Sequence, residues 1–241
     1  GGKIPYRRIG TGRPLLVLNG FAATNTDWDP SFIGGLASFN ELILLDNRGV
    51  GESDDDGRPF DMAQLVGDPA TAIEPPGLEH IRVLGWSMGG FIAQLVAINH
   101  PDHVLSLTSI MSGPGGTDAV PPRPEGAAVL MVMPPATREE RIEQAMHIRR
   151  ALLGPGDPFD ETFERARATR SVDRAYNPIG TGRQLVAILA AHSRVERLKK
   201  VGAPTLVIHG VDDVLVPVEN GRIPAAGVPG ARLIEFGGLG H

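Results

Sequence analysis

Val83-Leu84-Gly85-Trp86-Ser87-Met88-Gly89-Gly90-Phe91-Ile92-Ala93-Gln94 is the stretch on which the reading of this chain turns. An apolar run from Ile81 to Trp86 has strand length, and helix formers with Ala and Leu on one face follow Gly90. Between them stands a serine with a glycine two residues away on either side. A strand, tight turn and helix in this order lift a hydroxyl clear of the backbone at the apex. The cramped turn excludes side chains two residues to either side, hence Gly85 and Gly89. The pentapeptide alone is a weak signal, so its surroundings have to carry the assignment.

The same texture repeats outward. Upstream, Leu15 to Leu18 and Leu42 to Leu45 are short continuous apolar runs, the pattern of parallel strands buried on both faces. Ile4 to Ile9 reads as an edge strand closed by the turn Gly10-Thr11-Gly12. Asp27 is expected to cap a helix through Leu36. Another helix is expected between Phe60 and Gly77, short or kinked because Pro69, Pro75 and Pro76 interrupt it. Downstream, the helix after the serine should run from Met88 to about Asn99, where His100-Pro101 ends it, and Val104 to Ile110 is a further strand. At Ser112 the texture changes: loop-like 112–116 and 121–124 give way to helical patterns up to about Val201. Thr137-Arg138-Glu139-Glu140 fits a capping box opening a helix to Leu152, Asp160 caps a second, and Gly182 to Leu198 makes a third. Strands resume at Thr205 to Ile208, then come a helix over Val218 to Ala226 and a last strand at Arg232 to Phe236. The order predicts an α/β fold: a mostly parallel sheet with helices on both faces, residues 1–111 and 202–241 forming the core and 112–201 a helical cap.

Composition bounds the function. The chain has 241 residues, 41% of them hydrophobic, enough for one large core. A net charge of −5, with no run of Lys or Arg longer than a pair, gives no electrostatic footprint for nucleic acid. Arg149-Arg150 and Lys199-Lys200 are expected to be solvated helix surface. The absence of cysteine excludes disulfides and thiolate metal sites. No apolar run is long enough to span a membrane and no signal-peptide pattern opens the chain, so a cytoplasmic protein is the default expectation. Asp54-Asp55-Asp56 reads as a solvated loop rather than a metal site, and Gly10-Thr11-Gly12 precedes a strand rather than a helix, which argues against a phosphate or dinucleotide loop. No metal and no cofactor are expected. Because the chain opens at Gly1-Gly2-Lys3 and stops at Gly240-His241 directly after a strand-like run, further residues are expected at both ends.

In open parallel sheets, sites form beyond the carboxyl ends of the strands. Asn19 to Ala22, the turn at Ser87, Asp212-Asp213 and Gly240-His241 all fall at such ends. A serine hydroxyl is too weakly acidic to attack unaided and needs a base, and imidazole can take and return its proton near neutral pH. His80, His100 and His103 flank elements far from these ends, His147 and His192 fall in the cap, and His209 should bond locally within its strand end. His241 remains. Asp212 and Asp213 are adjacent, so only one of them can face it.

The chain resembles the α/β-hydrolase superfamily over essentially its whole length. The resemblance rests on Asn19-Gly20-Phe21, Asp46-Asn47-Arg48-Gly49-Val50-Gly51-Glu52-Ser53, the turn Gly85 to Gly90, His209-Gly210-Val211-Asp212-Asp213-Val214-Leu215-Val216-Pro217, and Gly237-Gly238-Leu239-Gly240-His241, in family order. Within the superfamily it is similar to the capped esterase branch that includes aclacinomycin methylesterase and the cofactor-free haloperoxidases. Gly156-Asp157-Pro158-Phe159-Asp160 favours the former.

That resemblance implies Ser87 as nucleophile, His241 as general base and Asp213 as the acid, with Asp212 a loop or helix-capping residue. It implies an oxyanion hole from the backbone N–H groups of Phe21 and Met88, and apolar pocket walls from Trp86 and Phe21. Asn19 stands where the family often has His, which puts the local hydrogen bonding there in question. Arg48 is expected to brace its loop. The implied function is hydrolysis of a small-molecule carboxylic ester through an acyl-enzyme, and Met131 and Met133 in the cap, with its Pro-rich approach, suggest a substrate with a sizeable apolar body. Perhydrolysis or acyl transfer from the same intermediate, or a non-catalytic binding role on this scaffold, are the alternatives, and a homo-oligomer is left open. With His241 the last residue of the chain, its loop is expected to be poorly ordered or shifted unless contacts elsewhere pin it.

Overall fold

The computed structural model describes residues 4–72, 78 and 80–241. Strands β1 (Tyr6–Ile9), β2 (Arg13–Leu18), β3 (Asn40–Leu45), β4 (Ile81–Trp86), β5 (Val104–Ile110), β6 (Thr205–Gly210) and β7 (Arg232–Phe236) form one sheet in the order β1-β3-β2-β4-β5-β6-β7. Only β1 is antiparallel to its neighbour; the other pairings are parallel. The carboxyl ends of β2, β4 and β6 therefore point the same way, and the loops that leave them share one rim.

The continuous apolar runs have a direct cause: both faces of the sheet are covered. Leu16, Leu18, Ile43, Leu45 and Val83 project to one face, packed with Leu65 and Val66 of α2 (Met62–Ala72) and Ile92 and Val96 of α3 (Met88–Asn99). Leu15, Val17, Leu42, Leu44 and Leu84 project to the other, against Ile33 and Leu36 of α1 (Pro30–Ala37). Alternate residues of one run thus serve opposite layers.

Between β5 and β6 the chain is helical: α4 (Pro124–Leu130), α5 (Arg138–Leu152), α6 (Glu161–Arg174), α7 (Pro178–Leu189) and α8 (Val195–Leu198). The capping box of α5 is present, Thr137 and Glu140 each bonding the other's backbone, and Asp160 caps α6. After β6, α9 (Glu219–Gly227) crosses to β7. Among the described residues no helix is long and apolar enough to cross a membrane.

Several local expectations change. Asp29, not Asp27, caps α1, because the Asp27 carboxylate is already taken by the Thr24 N–H and hydroxyl. The α2 helix passes through Pro69; Pro75 and Pro76, on which the expectation of a short or kinked helix also rested, lie outside the described residues. The single helix expected over 182–198 is two. Asn177 and Pro178 start α7 earlier, with the Asn177 side chain accepting the Gly180 N–H. The chain then leaves its helical path to bury Arg194, whose guanidinium bonds Gln94 Oε1 at 3.2 Å and the Gly113 carbonyl at 2.9 Å and lies over the Phe91 ring. Asp55 is not a solvated charge either: it is held by Asn177 Nδ2 at 3.0 Å and paired with Arg183, both on the insert.

Candidate active site

The turn between β4 and α3 is built by close approach. Ser87 adopts φ 54° and ψ −122°, a conformation costly for any residue with a β-carbon. A Cβ at Gly85 would strike the Gly89 carbonyl, and one at Gly89 would strike the Leu18 carbonyl, which is why both positions are glycine. The Ser87 N–H donates to the Ile110 carbonyl at 2.9 Å, and its own carbonyl accepts from Gly90 N and Ser112 Oγ, both at 2.9 Å. The backbone around the serine is thereby over-determined.

The structure brings Ser87, His241 and Asp213 together. His241 Nδ1 lies 2.7 Å from Asp213 Oδ2, and His241 Nε2 lies 2.9 Å from Ser87 Oγ. A carboxylate can only accept, so Nδ1 carries the hydrogen and Nε2 is left to accept the serine proton. Asp213 Oδ1 is occupied by the Leu215 and Val216 N–H groups at 2.9 and 2.7 Å. His209 Nε2 stands 3.5 Å from Asp213 Oδ2 while bonding the Val216 carbonyl at 2.7 Å, the local bonding expected for it. Burial alone would raise the Asp213 carboxyl, but the bonds from His209, His241 and the Val216 N–H prevail and hold it down at about 2. An anion fixed on the far side of the imidazole stabilises the imidazolium that forms when Nε2 takes a proton.

Asp212 points elsewhere. Its carboxylate accepts the Gly238 N–H at 2.8 Å and its own N–H donates to the Leu239 carbonyl at 3.0 Å, so it ties the histidine loop to the acid loop. Contacts elsewhere pin that loop, the condition under which it was expected to hold its place. The His241 N–H donates to the Leu152 carbonyl at 2.8 Å, Arg149 Nη1 donates to the His241 carbonyl at 3.0 Å, and the Gly156 N–H reaches the Gly238 carbonyl at 2.8 Å. All three supports come from α5 and the turn after it. Arg149 is therefore not solvated surface; it also pairs with Glu164.

Phe21, Ser87 and Met88 line a cavity of about 660 Å³. Among the described residues, neither the Phe21 N–H nor the Met88 N–H finds a protein acceptor, and both residues line the cavity beside Ser87. Asn19 is buried and satisfied: its Nδ2 donates to the Leu45 carbonyl at 2.7 Å, and its Oδ1 accepts from Trp28 Nε1. The rest of the cavity wall is mostly apolar, with Phe91, Leu130, Leu185, Ile188, Leu189, Leu215 and Val216, and polar groups at Thr117, His192, Ser193 and Asn220. Trp86 is not part of the wall; it packs edge-on against Trp28 at 5.6 Å. Met131 and Met133 are not part of it either, being 79% and 80% exposed, since α4 turns Leu130 inward instead. Arg48 braces its loop through a two-point bond to Asp68.

Gln184 belongs to none of the sequence motifs. It lies on α7, fully buried, with Oε1 accepting the Ala22 N–H at 3.0 Å and Nε2 donating to the Arg48 carbonyl at 2.8 Å. The available signal was a polar residue in the buried stripe Gly180, Gln184, Ala187.

The sequence profile of the alpha/beta hydrolase fold family matches residues 13–241. The chain is 27% identical to rhodomycin D methylesterase DauP of Streptomyces sp. (strain C5), over 95% of this chain and 84% of that protein. It is also 27% identical to a non-heme haloperoxidase of Rhodococcus erythropolis, over 100% of this chain and 90% of that one. Among solved structures, the esterase RhEst1 from Rhodococcus sp. ECU1013 matches with a TM-score of 0.86 at 25% identity, over 100% of this chain and 88% of the other.

Proposed function

The chain belongs to the alpha/beta hydrolase fold family, and from that premise we propose that it is a serine hydrolase cleaving carboxylic esters through an acyl-enzyme. The observation that carries the reading is the continuous relay Ser87, His241, Asp213, opening on an apolar cavity at the serine end. As Ser87 Oγ forms a bond to the ester carbonyl carbon, its proton passes to His241 Nε2. The carbonyl electrons move onto oxygen, where the Phe21 and Met88 N–H groups receive the charge. The intermediate collapses, the C–O bond to the alcohol breaks, and the imidazolium returns the proton to the departing oxygen. Water then repeats the cycle on the acyl-serine, releasing acid and free Ser87. Residues 112–201 act as the cap over this site, and the cavity's size and walls fit an ester with a sizeable apolar body. The likeness to rhodomycin D methylesterase supports ester cleavage.

A fluorophosphonate probe and a nitrophenyl ester test the reading. The native protein should be labelled on Ser87 and turn over the ester, and Ser87→Ala should do neither; full hydrolysis by Ser87→Ala would sink the mechanism. A second reading, transfer of the acyl group to hydrogen peroxide, is favoured by the likeness to the Rhodococcus haloperoxidase. Partition of products between water and peroxide distinguishes the two.

A further inference from the structure

The turn that carries the Phe21 N–H has little internal support. Gly20 to Ala23 is closed by a single long bond, Ala23 N–H to the Gly20 carbonyl at 3.3 Å. Within it Ala22 holds φ 59°, the left-handed region that an alanine enters only when something else enforces it. The Ala22 N–H is taken by Gln184 Oε1 at 3.0 Å. The other end of the same amide donates to the Arg48 carbonyl at 2.8 Å, and Arg48 is itself fixed to Asp68. The amide cannot flip, because its oxygen can only accept and its nitrogen can only donate. Its burial shields both bonds from bulk solvent. Gln184 does not line the cavity, whereas its neighbour Leu185 does.

We propose that Gln184 is a positioning residue for the reaction. It holds the Ala22 peptide in its strained conformation so that the adjoining Phe21 N–H stays aimed at the developing oxyanion. The oxyanion hole is then competent only while α7 is docked on the loops after β2 and β3. This rests on the serine-hydrolase reading above.

The test uses the whole chain and Gln184→Met, which keeps length and volume but removes both polar groups. Three quantities are measured: kcat and KM on a nitrophenyl ester, the affinity of a trifluoromethyl ketone that forms an oxyanion on Ser87, and the affinity of the parent methyl ketone. The expected result is a fall in kcat of roughly 10- to 100-fold, matched by the trifluoromethyl ketone. KM and methyl ketone binding should stay within about twofold, because ground-state contacts do not involve the oxyanion donors. An unchanged kcat, or a loss of kcat with trifluoromethyl ketone affinity intact, overturns the proposal. If Gln184→Met does not fold, Gln184→Asn is read in the same way, since it keeps a buried amide but withdraws it from Ala22. Probe labelling of the native protein separates the two levels. A native protein that is not labelled removes the hydrolase reading, whereas a labelled native protein with an unimpaired Gln184 variant removes only this role.

Discussion

Asp213 is buried and accepts from three groups, Leu215 N–H, Val216 N–H and His241 Nδ1, with His209 Nε2 3.5 Å from its Oδ2. Its carboxyl is held at about 2, below the 3.8 of the free group. A carboxyl that is lower in the folded than in the unfolded chain stabilises the fold above its unfolded value, and that contribution is lost as pH falls through the folded value. The loss should therefore fall between about pH 4 and pH 2 and amount to about 2 kcal/mol. Asp213→Asn should flatten the acid-unfolding curve across that window. The same substitution should lower kcat by about 10³- to 10⁴-fold, because an amide can present its N–H to His241 and leave the imidazole in the wrong tautomer. Acid titration followed by circular dichroism checks the first outcome and ester turnover the second. A variant as acid-sensitive as the native protein would mean that Asp213 is not the anion described.

The helix that decides most at the level of elements is α7. It docks through Gly180, where an added Cβ would strike the Gly49 carbonyl, and it is fastened at Asn177 and Arg183 to Asp55. Two glycines on one helix thus separate packing from propensity. Gly180→Ala should lift α7 from the loop after β3, costing about 1–3 kcal/mol and lowering turnover, because the same lift pulls Gln184 from Ala22. Gly182 has open space around its would-be Cβ, so Gly182→Ala should be neutral or stabilising by up to about 1 kcal/mol, with turnover unchanged. Thermal unfolding of the pair reads both effects. Equal melting temperatures for the two variants would contradict the docking described.

At the scale of the molecule, the sheet brings the loops that carry the candidate residues to one rim, and the helical insert fastens those loops. The α5 helix holds the histidine loop through Leu152 and Arg149, while α7 holds the loops after β2 and β3 through Gln184. Both sides of the site therefore depend on the insert being seated. Arg149→Met keeps the stem of the side chain and removes the bond to the His241 carbonyl. Turnover should fall about tenfold with KM little changed, since the base is displaced while the cavity walls stay in place. Backbone hydrogen exchange at 237–241 should quicken in the same variant. Unaltered exchange there would show that the Leu152 and Asp212 bonds suffice.

What the sequence by itself determined is the local and the periodic. Continuous apolar runs marked the parallel strands because burial on both faces leaves no polar position in them. Gly85 and Gly89 marked the sharp turn, and Thr137 with Glu140 marked the start of α5, because each of these is settled within a few residues of chain. The candidate residues Ser87, Asp213 and His241 were legible for a related reason: an open parallel sheet sends the loops after its strands to one rim, and family spacing chose between Asp212 and Asp213. Only the tertiary structure decided what supports and encloses them. The His241 N–H meets the Leu152 carbonyl and Gln184 meets Ala22 across 162 residues of chain, and no local pattern encodes either meeting. The same holds for the break between α7 and α8 around Arg194, for the exclusion of Trp86, Met131 and Met133 from the cavity, and for the role of Arg149. In each case the outcome depended on which distant group arrived to satisfy a buried donor, or to occupy the space, and only packing determines that.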